Sequence, residues 1–249
     1  MRPEYVAQYE ELERKHWWWL ARRRILGSVL EELPIVACPG RKPRLLDIGC
    51  GAGLNLAALS DNFECAGLEP DPVLARAAQA NSGAAIHALD LAQAQRSQPL
   101  GDQGFDCILL LDVIEHMDDD LGALRAAKGL LSPGGLLLVN VPALPRLWSV
   151  HDEANGHKRR YYLPQLRELI SAAGLELLSL RYWGSLLVPL AYAERRLQKR
   201  PDPARYHVPL PHPRVNRILE GLVVREYLWT RRLRLPFGLS LFAAARVKS

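Results

Sequence analysis

Good helix formers fill the first 33 residues and Pro34 closes the run, so residues 1–33 are predicted to be helical. The apolar run Arg44-Leu45-Leu46-Asp47-Ile48-Gly49 then ends in glycines, the pattern of a buried strand. Residues 54–59 predict a helix and 63–69 a strand. A helix follows over 72–81, with Asp71 as its cap and Pro72 in its first turn. Residues 86–89 predict a third strand, and 105–111 reads as a continuous apolar strand, buried on both faces if the sheet is parallel. A helix over 120–131 is stopped by Ser132-Pro133-Gly134-Gly135 before a further buried strand, 136–141. An irregular polar and aromatic stretch comes next, then a helix over 163–173 ended by Gly174, a strand over 175–182 and a last strand over 239–247. Strands alternating with helices at this spacing predict an α/β protein with a doubly wound, mostly parallel sheet.

Composition adds bounds. The chain has 249 residues, 49% hydrophobic and 24% charged, which is ordinary globular usage and enough to bury a full core. No stretch approaches the roughly 18 apolar residues that span a bilayer, and the first residues lack the apolar core of a secretory signal. Cys38, Cys50, Cys65 and Cys107 show no CxxC spacing, which argues against a zinc site or a disulfide framework. A cytoplasmic protein is expected. The net charge of +5 is unevenly spread: residues 1–193 carry −4, residues 194–235 carry +7 and the last 14 residues +2. The basic excess therefore bears on partners rather than on fold.

The first chemistry lies in Asp47-Ile48-Gly49-Cys50-Gly51-Ala52-Gly53, between a strand and a helix, where glycines let the backbone turn sharply and approach a ligand. Twenty residues after Gly49 stands Glu69, at a strand end where a carboxylate can accept from both ribose hydroxyls. A dinucleotide fingerprint would need glycine at position 54, and Leu54 disfavours a nicotinamide-dependent oxidoreductase. In order and spacing, these motifs, with Gly67-Leu68-Glu69-Pro70, Asp90-Leu91, Asp112-Val113-Ile114-Glu115-His116 and Pro133-Gly134-Gly135, resemble the class I S-adenosylmethionine-dependent methyltransferases. The segment 112–116 is similar to that of quinone O-methyltransferases.

The resemblance covers residues 44 to about 182 and the last strand. It implies a Rossmann-like sheet of seven strands with the last antiparallel, and S-adenosyl-L-methionine as cofactor, leaving as S-adenosyl-L-homocysteine. It implies that Asp47 and the turn Gly49, Cys50, Gly51, Gly53 hold the methionine end, and that Glu69, followed by Pro70, binds the ribose. Asp90 would face the adenine amino group with Leu91 on the ring, and Leu111 and Asp112 would line the pocket near the sulfur.

Methyl transfer needs an aligned nucleophile and a base for its proton. His116 follows the fourth strand; His151, Asp152 and His157 follow the fifth, and all four are candidate bases at the carboxyl edge of the sheet. The stretch 148–162 concentrates histidines, carboxylates, arginines and tyrosines, suited to an acceptor bearing hydroxyls or phosphate; the alternative is a loop tied down by its own Asp–Arg pairs. Asp112, Glu115 and His116 are hard metal ligands in one short turn, but the same letters occur in methyltransferases without metal, and none is expected.

The flanks divide the chain into an N-terminal helical cap (1–36), a cofactor-binding core (37–182), a basic, partly helical insertion (183–238) and the last core strand (239–249). Trp17, Trp18 and Trp19 cannot all face one core, since each helical step turns about 100°, so at least one should meet an acceptor, a lid or lipid. In the insertion a helix over 215–233 sets Val215, Ile218, Leu219 and Leu222 at helical spacing among arginines. This suits an anionic membrane surface at residues 194–235 and a lipid-linked acceptor, or equally an oligomer interface. No stacking platform points to nucleic acid. The expected function is methyl transfer to a small or lipid-linked acceptor (a quinone, sugar or polyprenyl-type lipid), most readily at oxygen, in the cytoplasm or at the inner face of a membrane. The alternative is a cofactor-binding partner protein without turnover.

Overall fold

A computed structural model describes residues 3–36, 40–97, 100, 104–197, 207–230, 233 and 235–247. Cys38, and Lys199, Arg200, Arg231, Arg232 and Arg234 of the basic segment, lie outside the described residues. The strands are β1 (Arg44–Ile48), β2 (Glu64–Leu68), β3 (Ala85–His87), β4 (Phe105–Leu111), β5 (Leu131–Pro142), β6 (Leu175–Trp183) and β7 (Ser240–Val247). The helices are α1 (Pro3–Lys15), α2 (Trp17–Glu32), α3 (Leu54–Leu59), α4 (Pro72–Ser82), α5 (Leu91–Ser97), α6 (Asp120–Gly129), α7 (Val150–Asn155), α8 (Leu163–Ala172), α9 (Val188–Leu197) and α10 (Pro213–Thr230).

The seven strands form one sheet in the order β3-β2-β1-β4-β5-β7-β6. Strands β1 to β5 pair in parallel, and β7 runs antiparallel to both β5 and β6. Every residue of β4 is buried, as a central parallel strand covered on both faces requires. Alternation sorts the side chains into two cores. Leu46, Ile48, Ile108, Leu110, Leu137 and Val139 face α5, α6 and α8, while Leu45, Cys107, Leu109, Leu136 and Leu138 face α2, α3 and α10. The strand order reverses between β1 and β4, so the carboxyl ends of these strands open a crevice there.

Two local departures from the expected elements matter for the site. The predicted N-terminal helix is two helices: His16 has extended backbone, and its Nδ1 accepts the Trp18 N–H at 3.2 Å, capping α2. The stretch 148–162, expected to be irregular, contains α7, started by Ser149 and Asp152 in a reciprocal capping box. Within the insertion, α10 packs on α2, so the two flanking regions cover the same part of the core. The Asn216 side chain joins them, accepting the Trp17 N–H at 2.7 Å and donating to Lys15 O at 2.7 Å.

Candidate active site

The turn after β1 is built for close approach. Gly53 has a left-handed backbone (φ 77°), and a Cβ there would lie 2.7 Å from Ala78 Cα, so only glycine lets α4 pack this tightly. A Cβ on Gly51 (φ 56°) would come within 2.5 Å of the Tyr9 ring, which α1 lays over the turn. Asp47 is buried at the end of β1 and receives a long hydrogen bond from Asn55 Nδ2 at 3.5 Å. Burial pushes its carboxyl up to about 7 despite the nearby Arg22 guanidinium. Cys50 is buried in the core beneath the turn, its thiol pushed far up by burial.

Glu69 follows β2. Its Oε2 accepts the Gly51 N–H at 2.9 Å and its Oε1 the Asp71 N–H at 3.0 Å, so each oxygen keeps a lone pair for a further donor. Pro70, next to Glu69, is exposed. Asp90 lies on the exposed surface, where its Oδ1 caps α5 by accepting the Gln93 N–H at 2.7 Å; Leu91 is buried in the core.

After β4, Leu111 is buried against the α2–α10 side of the sheet. Asp112 takes a positive φ of 60°, rare for a residue with a side chain and a mark of a functional constraint. Asn140 Nδ2 donates to Asp112 Oδ1 at 2.6 Å, and the buried Arg22 donates to Asp112 Oδ2. Asn140 Oδ1 in turn accepts from Trp183 Nε1 at 2.9 Å, and Trp183 stacks on Trp18 with ring centroids 4.2 Å apart. This network carries α2 onto the ends of β4, β5 and β6. Glu115 is fully buried; neither carboxylate oxygen has a hydrogen-bond partner among the described residues, and burial holds it protonated well above the usual range.

The loop after β5 centres on Asp152, also fully buried. His157 Nδ1 lies 2.9 Å from its Oδ1, and Arg160 donates to it twice, from Nε at 2.7 Å and Nη2 at 3.0 Å. These partners outweigh burial and hold Asp152 ionised well below the usual carboxylate range. His116 meets His157 edge to face with centroids 4.8 Å apart, and His151 lies 6.1 Å from His157. Burial lowers His116 to about 4 and His151 to about 3, so both are neutral at pH 7.

Three of the four candidate bases, His116, His151 and His157, therefore converge on one cavity of about 390 Å³, while Asp152 stands behind His157. Trp17, Trp18, Trp19, Leu187, Leu190 and Leu219 supply aromatic and apolar walls, and Arg22 and Asp112 line the cavity with them. Trp19 is also buried against Leu12 and Val208 and Trp18 stacks on Trp183, so tryptophans that line the cavity are at the same time packed into the protein. Glu115, His116 and His157 bring potential ligand atoms within 4.8 Å of one another. That grouping differs from the Asp112, Glu115, His116 set considered in the sequence, because Asp112 is engaged by Arg22 and Asn140.

Several participants escape sequence reasoning: Tyr9, Glu13, Arg22, Asn140 and Trp183. Of these Arg22 left a signal, since it stands on the apolar stripe Trp19, Arg22, Leu26, Val29 of α2, where an arginine needs a buried partner.

A doubly wound sheet with its seventh strand antiparallel and a glycine turn at the switch point defines a Rossmann-like methyltransferase fold. A family model described as a methyltransferase domain matches residues 14–180, and the chain belongs to that family. A ubiquinone biosynthesis O-methyltransferase of Ruegeria pomeroyi is 43% identical over 102 residues, 37% of this chain and 38% of that protein. One from Xanthomonas campestris is 31% identical over 108 residues, 42% of this chain and 44% of that protein. The chain thus matches less than half the length of these relatives. Among solved structures, a SAM-dependent methyltransferase from Archaeoglobus fulgidus superposes with a TM-score of 0.54 at 15% identity, over 90% of this chain and 94% of that one. A TehB-like SAM-dependent methyltransferase from Corynebacterium glutamicum gives 0.56 at 17% identity over 100% of both chains.

The residues present fit S-adenosyl-L-methionine, the cofactor of this class. Glu69 keeps acceptor capacity for a diol, and the buried carboxylates Glu13 and Asp47 stand at the glycine turn, where they can face the positive charge of a sulfonium and an ammonium.

Proposed function

We propose that the protein transfers a methyl group from S-adenosyl-L-methionine to an oxygen of a small or lipid-linked acceptor, with His157 as the general base. The His157–Asp152–Arg160 arrangement on the cavity wall carries this reading. Bound at the glycine turn, the cofactor supplies an electrophilic methyl on a positively charged sulfur and leaves as the neutral thioether S-adenosyl-L-homocysteine.

The protein's own task is to position the acceptor and take its proton. Asp152, held ionised by Arg160, accepts at His157 Nδ1 and so directs Nε2 to the acceptor hydroxyl. As that proton arrives, the Asp152 carboxylate stabilises the imidazolium that forms. His116 and His151, neutral beside it, add no repelling charge and can orient the acceptor by hydrogen bonds. Tryptophan and leucine walls give the reacting groups apolar surroundings.

The acceptor reading extends to lipid. Leu190 and Leu219 line the cavity, and around them α9, the turn before it and α10 leave Leu186, Leu190, Ile218 and Trp229 more than half exposed, beside Arg214, Arg217 and Arg225. Exposed apolar side chains among arginines suit an anionic membrane surface from which an acceptor could enter. No helix among the described residues is long and apolar enough to cross a membrane, so the contact in this reading is peripheral. The test is a methylation assay read by mass, with hydroxylated quinone, sugar and polyprenyl acceptors. Product on none of them, from protein that binds the cofactor, would favour the non-catalytic partner.

A further inference from the structure

His16 stands at the break between α1 and α2 with extended backbone (φ −79°, ψ 133°), and it lines the same cavity as His116, His151 and His157. The residue is 7% exposed. Its backbone is satisfied from both sides: His16 N–H donates to Leu12 O at 2.8 Å, and His16 O accepts the Leu20 N–H at 3.2 Å. The rings of Trp17 and Trp19 flank the imidazole, with centroids 5.4 Å and 5.1 Å away.

The cap on α2 decides which ring nitrogen is left to act. Nδ1 accepts the Trp18 N–H at 3.2 Å, and burial lowers the imidazole to about 4, so the ring is neutral at pH 7. A neutral imidazole carries one proton, and with Nδ1 accepting, that proton sits on Nε2. The Nε2–H has no hydrogen-bond partner among the described residues. A donor held in a buried ring without a partner calls for an acceptor atom from outside the chain. The other histidines of the cavity already have polar neighbours: His157 has Asp152, His151 has the Asn155 amide and His116 has the Gly156 backbone.

We infer that His16 selects the acceptor by donating from Nε2 to an oxygen other than the one methylated, so that the acceptor is a hydroxylated ring that also carries a carbonyl-type oxygen. The inference rests on the proposed methyl transfer and names the molecule that the same cavity takes. Tryptophan faces beside the donor, in a cavity of about 390 Å³, suit a flat ring. His157 meets the hydroxyl at one point of that ring and His16 holds an oxygen at another, which together fix its orientation. The tryptophans around the neutral His16 ring favour an uncharged carbonyl at Nε2, since a carboxylate buried there would need a cation as partner.

Matched phenols isolate the carbonyl: meta- and para-hydroxyacetophenone against meta- and para-ethylphenol, which keep the ring, the hydroxyl and a similar shape. Two substitutions separate the donor from the cap, because asparagine stands in for Nδ1 and glutamine reaches the place of Nε2. Ligand-observed NMR titration with S-adenosylhomocysteine saturating should show wild type binding at least one hydroxyacetophenone roughly three- to tenfold more tightly than its ethylphenol. His16→Asn should lose that preference while keeping the melting temperature and the S-adenosylhomocysteine affinity of wild type. His16→Gln should melt lower yet retain part of the preference. Pairs that bind wild type alike, no phenol binding to the saturated protein, or a preference that survives His16→Asn would each overturn the inference. So would weaker S-adenosylhomocysteine binding by His16→Asn, which would make His16 part of the cofactor site. Failure of wild type to bind S-adenosylhomocysteine would instead overturn the methyl-transfer reading.

Discussion

His157 Nδ1 lies 2.9 Å from Asp152 Oδ1, and that carboxylate is fully buried. If the pair prepares His157 Nε2 as the base, His157→Ala should lower kcat by about 10²–10⁴ and leave the affinity for S-adenosylhomocysteine unchanged. Steady-state kinetics beside calorimetry measures both. An unaltered kcat would move the base to His116 or His151.

Asp152→Asn tests the support of that base. It would free His157 to turn and leave Arg160 buried beside a neutral amide, a loss of about 3–5 kcal/mol in stability. The expected result is a melting temperature well below that of His157→Ala, together with a reduced kcat. Because Asp152 sits below its ordinary range when folded, its contribution is complete above the unfolded carboxylate range and is lost as pH falls from there through the lower, folded value.

Glu13 makes the opposite pH signature. Folded, it keeps its proton to about 7 against 4.5 for the free side chain, with burial the main cause. Between those values the folded state binds more protons, so the ligand-free protein loses stability as pH rises, by up to about 3 kcal/mol at pH 7.5. Glu13→Gln should abolish that component: its melting temperature should match wild type near pH 4.5 and exceed it near pH 7.5. Parallel curves for the two proteins would contradict the assignment.

Metal independence is open to a direct measurement. Burial raises Glu115 well above the usual carboxylate range, and His157 is engaged by Asp152. Activity should survive dialysis against a chelator. Loss that magnesium restores would place an ion at Glu115, His116 and His157.

The exposed face of α9 and α10 gives a fifth expectation. Liposomes containing anionic lipid should carry the protein upward in flotation at low salt, and neutral liposomes should not. Ile218→Asp with Trp229→Asp should remove the association. Concentration-dependent dimers lost in the same variant, with no flotation, would make this face a subunit interface.

Much of the core was legible because its signals are local. Residues 105–111 read as a buried strand from their apolar run, and Asp71 and Pro72 mark the start of α4 at the residue. The strand ends carrying Asp47, Glu69, Asp112 and His116 could be assigned to one sheet edge from order alone. The break at His16 was hidden because good helix formers flank it, and it is marked by the extended backbone of His16 and its cap on the Trp18 N–H. The start of α5 had a signal in Asp90-x-x-Gln93, a reciprocal cap that seven residues of helix made easy to overlook. The Arg22–Asp112 and Asn140–Trp183 contacts join residues 90 and 43 positions apart, and no local pattern encodes such pairings.

Calorimetric titration of the purified protein with S-adenosyl-L-homocysteine tests whether the crevice between β1 and β4 accepts the cofactor. Saturable binding to one site, competed by S-adenosyl-L-methionine, is the expected result. The absence of any heat of binding from folded protein would contradict it.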